Sequence, residues 1–216
     1  MDLEQYIDHT LLKPTATPLA IRQLCDEARE FNFYSVCVNS CYVALAKDEL
    51  KDSVVKIAAV IGFPLGAMST EAKLCEAQFC IEHGADEIDM VINIGWLKFK
   101  EYDLVKDEIT KIKQTIGSRK LKVIIETCYL TAEEKKIASM LVVEGKADFV
   151  KTSTGFGSGG ATFEDIELIK RVIQDRIKIK ASGGIKDKKT AKRYIDMGVS
   201  RLGTSSGIEI VKNSNL

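Results

Sequence analysis

Histidine, proline and an excess of charge of either sign are what this chain most plainly lacks. His9 and His83 are its two histidines, and the cysteines at 25, 37, 41, 75, 80 and 128 never fall in a C-x2-C pair, so no zinc spacing is visible and no resident metal is expected. Six cysteines could in number form three disulfides. The N-terminus, however, lacks the basic-then-apolar segment of a secreted precursor, so reduced and mostly buried thiols in a cytoplasmic protein are the expectation. The 31 basic and 31 acidic side chains cancel. That removes a global field for nucleic acid or an anionic membrane, while leaving room for a local phosphate patch. No apolar run approaches the roughly 20 residues of a membrane span. With 3 prolines, 45% hydrophobic residues and no long linker, repeat or low-complexity tract, positions 1–216 read as one domain whose partner is a small molecule.

What the chain does have is rhythm. Short runs rich in valine and isoleucine alternate with charged stretches of helical period, the pattern of βα units around a parallel sheet. Eight strands are predicted: Tyr6 to Thr10, Ser35 to Asn39, Val54 to Ile61, Glu87 to Val91, Leu121 to Glu126, Ala147 to Lys151, Ile177 to Ala181, and Arg201 to Gly203. Helix starts fall between them. Thr17-Pro18 offers a cap with proline in the first turn, Thr131 and Glu134 have capping-box spacing, and Thr162 with Asp165 is a weaker version. The first helix places Leu24, Cys25, Ala28 and Phe31 on one face. Periodicity does not separate a closed barrel from an open doubly wound sheet; the strand number favours a single (β/α)8 TIM barrel of class α/β.

In such folds ligands bind at the C-terminal ends of the strands. Three of those ends carry charge in apolar surroundings. The sixth run ends in Lys151-Thr152-Ser153-Thr154-Gly155, the seventh in Lys180-Ala181-Ser182-Gly183-Gly184, and the fourth contains Asp89. A lysine at about pKa 10.4 is a free amine in only roughly one molecule in a few thousand at neutral pH. A nucleophilic lysine must therefore be destabilised as a cation, by burial and by a second positive charge. Lys151, with little polar relief before it and hydroxyls and glycines after it, is the candidate nucleophile, and Lys180 at the matching position of the next strand is the candidate second charge. Lowering a pKa by about three units corresponds to roughly 4 kcal/mol. Asp89 lies between Ile88 and Met90, so alternation sends it inward if those two face the helices. There it serves either as part of a proton relay or as a structural ion pair with Lys180, and the two do not exclude each other. Lys178 shares parity with Lys180 and is expected inward as well, unless its end-of-strand position releases it. The loops Gly183-Gly184-Ile185-Lys186 and Gly203-Thr204-Ser205-Ser206-Gly207 follow the seventh and eighth strands, the usual phosphate-binding place of these barrels, with a helix N-terminus expected to contribute.

These same segments resemble a known family. VKTSTGFG from Val150, KASGGI from Lys180, EIDMVINIG from Glu87 and IDHTLLKPTAT from Ile7 are together similar to the deoxyribose-phosphate aldolases, in the family's order and across Ile7 to about Gly207. VCVNS from Val36 and IIETCYLT from Ile124 add weaker support. The resemblance implies that Lys151 forms a Schiff base, Lys180 depresses its pKa, Asp89 belongs to the proton relay and Asp8 holds Lys180 in place. It further implies phosphate contacts from Gly183, Gly184, Lys186, Gly203, Ser205 and Ser206, and a substrate lining from Thr152 and Thr154 with Gly155 beside them. Lys186 stands where many relatives have arginine, replacing a bidentate contact by a point charge. Some relatives end in a tail with a tyrosine that assists proton transfer, whereas this chain reads Asn213-Ser214-Asn215-Leu216, so Asp89, Lys180 and water are expected to suffice. The implied reaction is reversible cleavage of 2-deoxy-D-ribose 5-phosphate to D-glyceraldehyde 3-phosphate and acetaldehyde, without a cofactor, in a homo-oligomer (dimer or tetramer). A Schiff-base aldolase for another phosphorylated substrate and a catalytically silent sugar-phosphate binder are the alternatives.

Overall fold

A computed structural model describes residues 2–212. Eight parallel strands close on themselves in sequence order: β1 (Ile7–Leu11), β2 (Ser35–Asn39), β3 (Lys56–Ile61), β4 (Glu87–Val91), β5 (Lys120–Ile124), β6 (Phe149–Lys151), β7 (Lys178–Ser182) and β8 (Arg201–Thr204), with β8 returning to pair β1. Around them run α1 (Pro18–Glu30), α2 (Val43–Glu49), α3 (Thr70–Glu82), α4 (Ile94–Lys98), α5 (Tyr102–Ile116), α6 (Ala132–Glu144), α7 (Phe163–Ile173), α8 (Lys188–Asp196) and α9 (Gly207–Lys212). This is the (β/α)8 barrel that the strand rhythm favoured, and closure excludes the open sheet.

The caps form as their spacing predicts. Thr17 Oγ1 accepts from the Ala20 N–H at 3.3 Å with Pro18 opening α1. At α6 the box is reciprocal: Glu134 N–H donates to Thr131 Oγ1 at 3.3 Å and Thr131 N–H to Glu134 at 2.7 Å. At α7 Thr162 accepts from Asp165 N–H at 3.0 Å, but the Asp165 carboxylate accepts from Lys135 instead of reaching back.

Strand alternation divides the apolar residues. Ile88 and Met90 join the large core between strands and helices, with Ala77 of α3 and Ile109 and Ile112 of α5. A second, small apolar cluster of Leu12, Cys37, Ala58 and Val60, with Phe63 against it, occupies the barrel interior on the β1 to β3 side. Towards β4 to β8 the interior carries the buried charged side chains Glu87, Asp89, Lys122, Lys151, Lys180 and Arg201.

Several boundaries differ from the sequence expectation for local reasons. Residues 54 and 55 precede β3, with Val54 85% exposed and the Val55 N–H turned onto the Ser53 hydroxyl. Glu126 has φ 51°, left-handed backbone that a strand residue does not adopt, so β5 ends before it. Asp148 is not a strand residue: its carboxylate takes the Leu121 N–H and the amines of Lys113 and Lys120. Lys178 opens β7 at the N-terminal rim, where it is exposed and lies over the Phe149 ring, so it does not enter the interior. All six thiols are free, but only Cys25, Cys37 and Cys80 are buried; Cys41 and Cys75 are exposed, which corrects the expectation of mostly buried cysteines.

Candidate active site

The site is assembled by the inward residues of neighbouring strands. Register places Lys151 beside Lys180 and Lys180 beside Arg201. Lys151 Nζ donates to Asp89 Oδ2 at 2.8 Å, and Lys180 Nζ donates to the same oxygen at 2.8 Å. Lys180 also donates to Asp8, so the four side chains named from the sequence meet in one cluster. Three neighbours that were not named as site residues from the sequence, Lys122, Glu87 and Arg201, join it. Lys122 donates to Asp89 Oδ1 at 2.7 Å and meets Glu87 at 2.6 Å; Arg201 donates to Asp8 Oδ1 at 2.7 Å and to Glu87 at 3.2 Å. All of these side chains are buried.

In that setting the charges do not behave alike. Burial is the largest influence on Lys151 and disfavours its cation; Asp89 opposes and Lys180 reinforces, and the net direction is down from the ordinary lysine value. Burial acts the same way on Lys180, but Asp8 and Asp89 overcome it and hold this amine above the ordinary value. Lys122 is likewise raised, chiefly by Asp89 against burial. Burial opposes ionisation of Asp89, yet Lys122, Lys151 and Lys180 hold its carboxyl well below the usual range. Asp8 is lowered too, by Lys180 and Arg201 against burial. One amine among three thus leans towards its free form.

Above this cluster, at the C-terminal mouth, lies a cavity of about 370 Å³. Lys151 reaches it from below. Its wall includes Thr154, Gly155, Gly183, Gly184, Lys186, Gly203 and Ser205 from the sequence expectation. Two expected residues stand back from it. Thr152 is buried and its hydroxyl bridges to β7, donating to Ser182 O at 3.2 Å and accepting from Ser182 N–H at 3.1 Å. Ser206 is outside the wall, its N–H donating to Thr204 Oγ1 at 2.9 Å. Gly183 and Gly184 have φ +85° and +80°, the conformation that turns this loop's backbone and that other residues rarely adopt. The helix N-terminus expected to assist is not free, since Asp187 caps α8 by accepting from Thr190 N–H at 2.8 Å.

Two further residues shape the mouth. Lys13 lines the cavity across from the β7 loop, on a segment held from both sides: Asn39 Nδ2 donates to Leu12 O at 3.3 Å and Tyr42 Oη to Ala16 O at 2.6 Å. Glu126, buried in its left-handed conformation, accepts from Thr154 N–H at 3.2 Å and from the Thr154 hydroxyl, and so fixes the loop that carries Thr154 and Gly155. The sequence block around Ile124 contained Glu126, but nothing there marked it as a clamp. Among the described residues lining the cavity there are three lysines and no carboxylate. Also among the described residues, no group of three or more His, Cys, Asp or Glu side chains is placed to hold a metal ion. The tail at 213–216 lies outside the described residues.

Barrel and mouth together define a (β/α)8 enzyme with its pocket at the C-terminal end of the strands. Comparison with known proteins makes the class specific: residues 3–213 match the model of the DeoC/LacD family aldolases, and the chain belongs to that family. It is 54% identical over 212 residues to the deoxyribose-phosphate aldolase of Finegoldia magna, covering 98% of this chain and 100% of that one. To the enzyme of the same name from Thermococcus kodakarensis it is 54% identical over 217 residues, covering 99% and 97%. Among solved structures, an aldolase at 43% identity superposes with a TM-score of 0.95 over 98% of this chain and 95% of its own. The tetrameric deoxyribose phosphate aldolase of Aeropyrum pernix gives 0.89 at 30% identity, over 97% and 89%.

Proposed function

We propose that this aldolase reversibly cleaves 2-deoxy-D-ribose 5-phosphate to D-glyceraldehyde 3-phosphate and acetaldehyde through a Schiff base on Lys151. The observation that carries the reading is the position of Lys151: a buried amine, lowered in pKa, at the floor of a cavity whose lining carries lysines and no acid among the described residues. The deoxyribose-phosphate aldolases to which the chain is similar support the choice of substrate.

The free amine of Lys151 adds to C1 of the open-chain sugar, and the carbinolamine loses water to give an iminium. A water polarised between Asp89 and Lys180 takes the C3 hydroxyl proton. The C2–C3 bond then breaks, its electron pair passing towards the iminium nitrogen, and D-glyceraldehyde 3-phosphate leaves. The remaining enamine is protonated at its terminal carbon, water adds, and acetaldehyde departs as the amine is restored. Lys180, held as a cation by Asp8 and Asp89, stabilises the negative charge that develops as the proton moves. Phosphate is held at the far end by backbone N–H groups around Gly183, Gly184 and Ser205 and by Lys186 and Lys13, while Gly203 leaves room for the Lys180 stem. Thr154 and Gly155 border the sugar, and Thr152 and Ser206 support the wall from behind. The tetrameric relative supports a homo-oligomer, and the cleavage itself fits the breakdown of deoxyribose phosphates in the cytoplasm.

Borohydride reduction in the presence of acetaldehyde tests the centre of this reading. The wild-type protein gains one ethyl group on Lys151, and Lys151→Ala gains none and loses turnover while keeping its circular dichroism. Normal turnover in folded Lys151→Ala would falsify the assignment.

A further inference from the structure

Lys122, Glu87 and Arg201 lie beneath the pocket and touch none of it. They are nevertheless wired to its floor. Glu87 joins Lys122 at 2.6 Å to Arg201 at 3.2 Å, Lys122 joins Asp89, and Arg201 joins Asp8. With Lys151 and Lys180 this makes one connected, buried array of four basic side chains and three carboxylates.

Fully protonated at its bases, the array carries one positive charge more than its carboxylates cancel. A net charge in a poorly solvated interior is costly, and losing one proton removes it. The contacts decide which base gives it up. Lys122 meets Asp89 and Glu87, Lys180 meets Asp8 and Asp89, and Arg201 meets Asp8 and Glu87. Arginine does not deprotonate in proteins. Lys151 meets one carboxylate among the described residues, Asp89, and shares the contacted oxygen with Lys180. We propose that Lys122, Glu87 and Arg201 are positioning residues that keep Lys151 a free amine by leaving the array one cation in excess. The groups facing Lys151 are Asp89 from β4, Lys180 from β7 and Cys37 from β2, while Lys122 from β5, Asp8 from β1 and Arg201 from β8 are joined to it through Asp89 and Lys180; the Cys37 thiol, pushed up by burial, stays neutral and does not enter the count.

The inference rests on Lys151 being the nucleophile, and it is tested by counting. The rate of borohydride trapping with acetaldehyde, and kcat/KM, are measured against pH in the intact protein. Glu87→Gln widens the excess and moves the acid limb of both profiles to lower pH by about one unit, the size of a buried charge acting at an effective dielectric near 20. Arg201→Met removes the excess, so Lys151 holds its proton more tightly; the limb moves to higher pH by about one unit, a loss of at most about tenfold on the acid side of the limb that is regained at alkaline pH. Combining the two restores an excess of one and returns the limb to its wild-type place. Losses at all pH values without displacement, displacement in the same direction for both, or a double variant that does not return each overturn the proposal. Should Arg201→Met fail to fold, the near-isosteric Glu87→Gln decides alone: an unmoved limb sinks the idea. A wild-type protein that traps nothing on Lys151 at any pH brings down the nucleophile reading and this inference together; trapping with unmoved limbs brings down the inference only.

Discussion

At the scale of single residues, Lys151 is held in a place that suits the proposed Schiff-base chemistry and not the stability of the fold. Its folded pKa lies below the ordinary 10.5, so the unfolded chain binds this proton more tightly. As pH falls from 10.5 towards the folded value, the residue therefore subtracts stability, and the loss is complete once the pH has passed below that value. Replacing it by an apolar side chain of similar length removes the loss and leaves Asp89 its contacts with Lys122 and Lys180. Lys151→Met is expected to be inactive but to melt a few degrees higher, equivalent to about 1 kcal/mol in a chain of this size. A lower melting temperature in calorimetry would show that the amine contributes more through Asp89 than its burial costs. Sequence reached much of this scale. Alternation alone placed Asp89 inward between Ile88 and Met90, and the same argument applies to Lys122 between Leu121 and Val123, where it was not used. Arg201 and Glu87 sit at strand starts, where parity says little until register with the neighbours is known.

At the scale of elements, the mouth is built from loops, and loops were the least legible part. The Gly183-Gly184 pair marked the β7 loop because few residues accept φ near +80°, whereas Gly203 in β8 is required by the Lys180 stem lying against it. Nothing marked the β1 loop: a lysine before a proline in a polar stretch reads as solvent-facing until closure sets β1 beside β8. At the start of α8 the expected helix assistance is taken up by Asp187, which caps it. On the proposed reading, phosphate binding rests on loop amides and the two exposed lysines, Lys13 and Lys186. Because both are exposed, solvent weakens each contact. Lys186→Ala and Lys13→Ala are each expected to raise KM for 2-deoxyribose 5-phosphate about 3- to 10-fold. Neither should alter the rate on unphosphorylated 2-deoxyribose, which never uses those charges. Measuring both substrates on both variants isolates the phosphate contribution. Equal losses on the two substrates would make the lysine structural, and no loss on either would leave the amides alone in the role.

At the scale of the whole molecule, the α/β class was legible from eight apolar runs alternating with helical stretches, and their number favoured a barrel, while closure itself was not legible, because the pairing of β8 with β1 joins segments nearly a chain length apart. Asp8 contacts Lys180 and Arg201 across separations of 172 and 193 residues. Contacts of that range close the longest loops and are expected to form after the shorter ones. Until they form, Lys151 is an ordinary, solvated lysine and holds its proton. A chain emerging from the ribosome or refolding from denaturant is thus chemically quiet towards aldehydes up to its final docking step. In refolding, the gain of trapping competence should lag the recovery of helical circular dichroism and coincide with burial of β8, and competence appearing with the early signal would contradict this. The enzyme's reactivity is then a certificate of completed folding, issued only when the first strand meets the last.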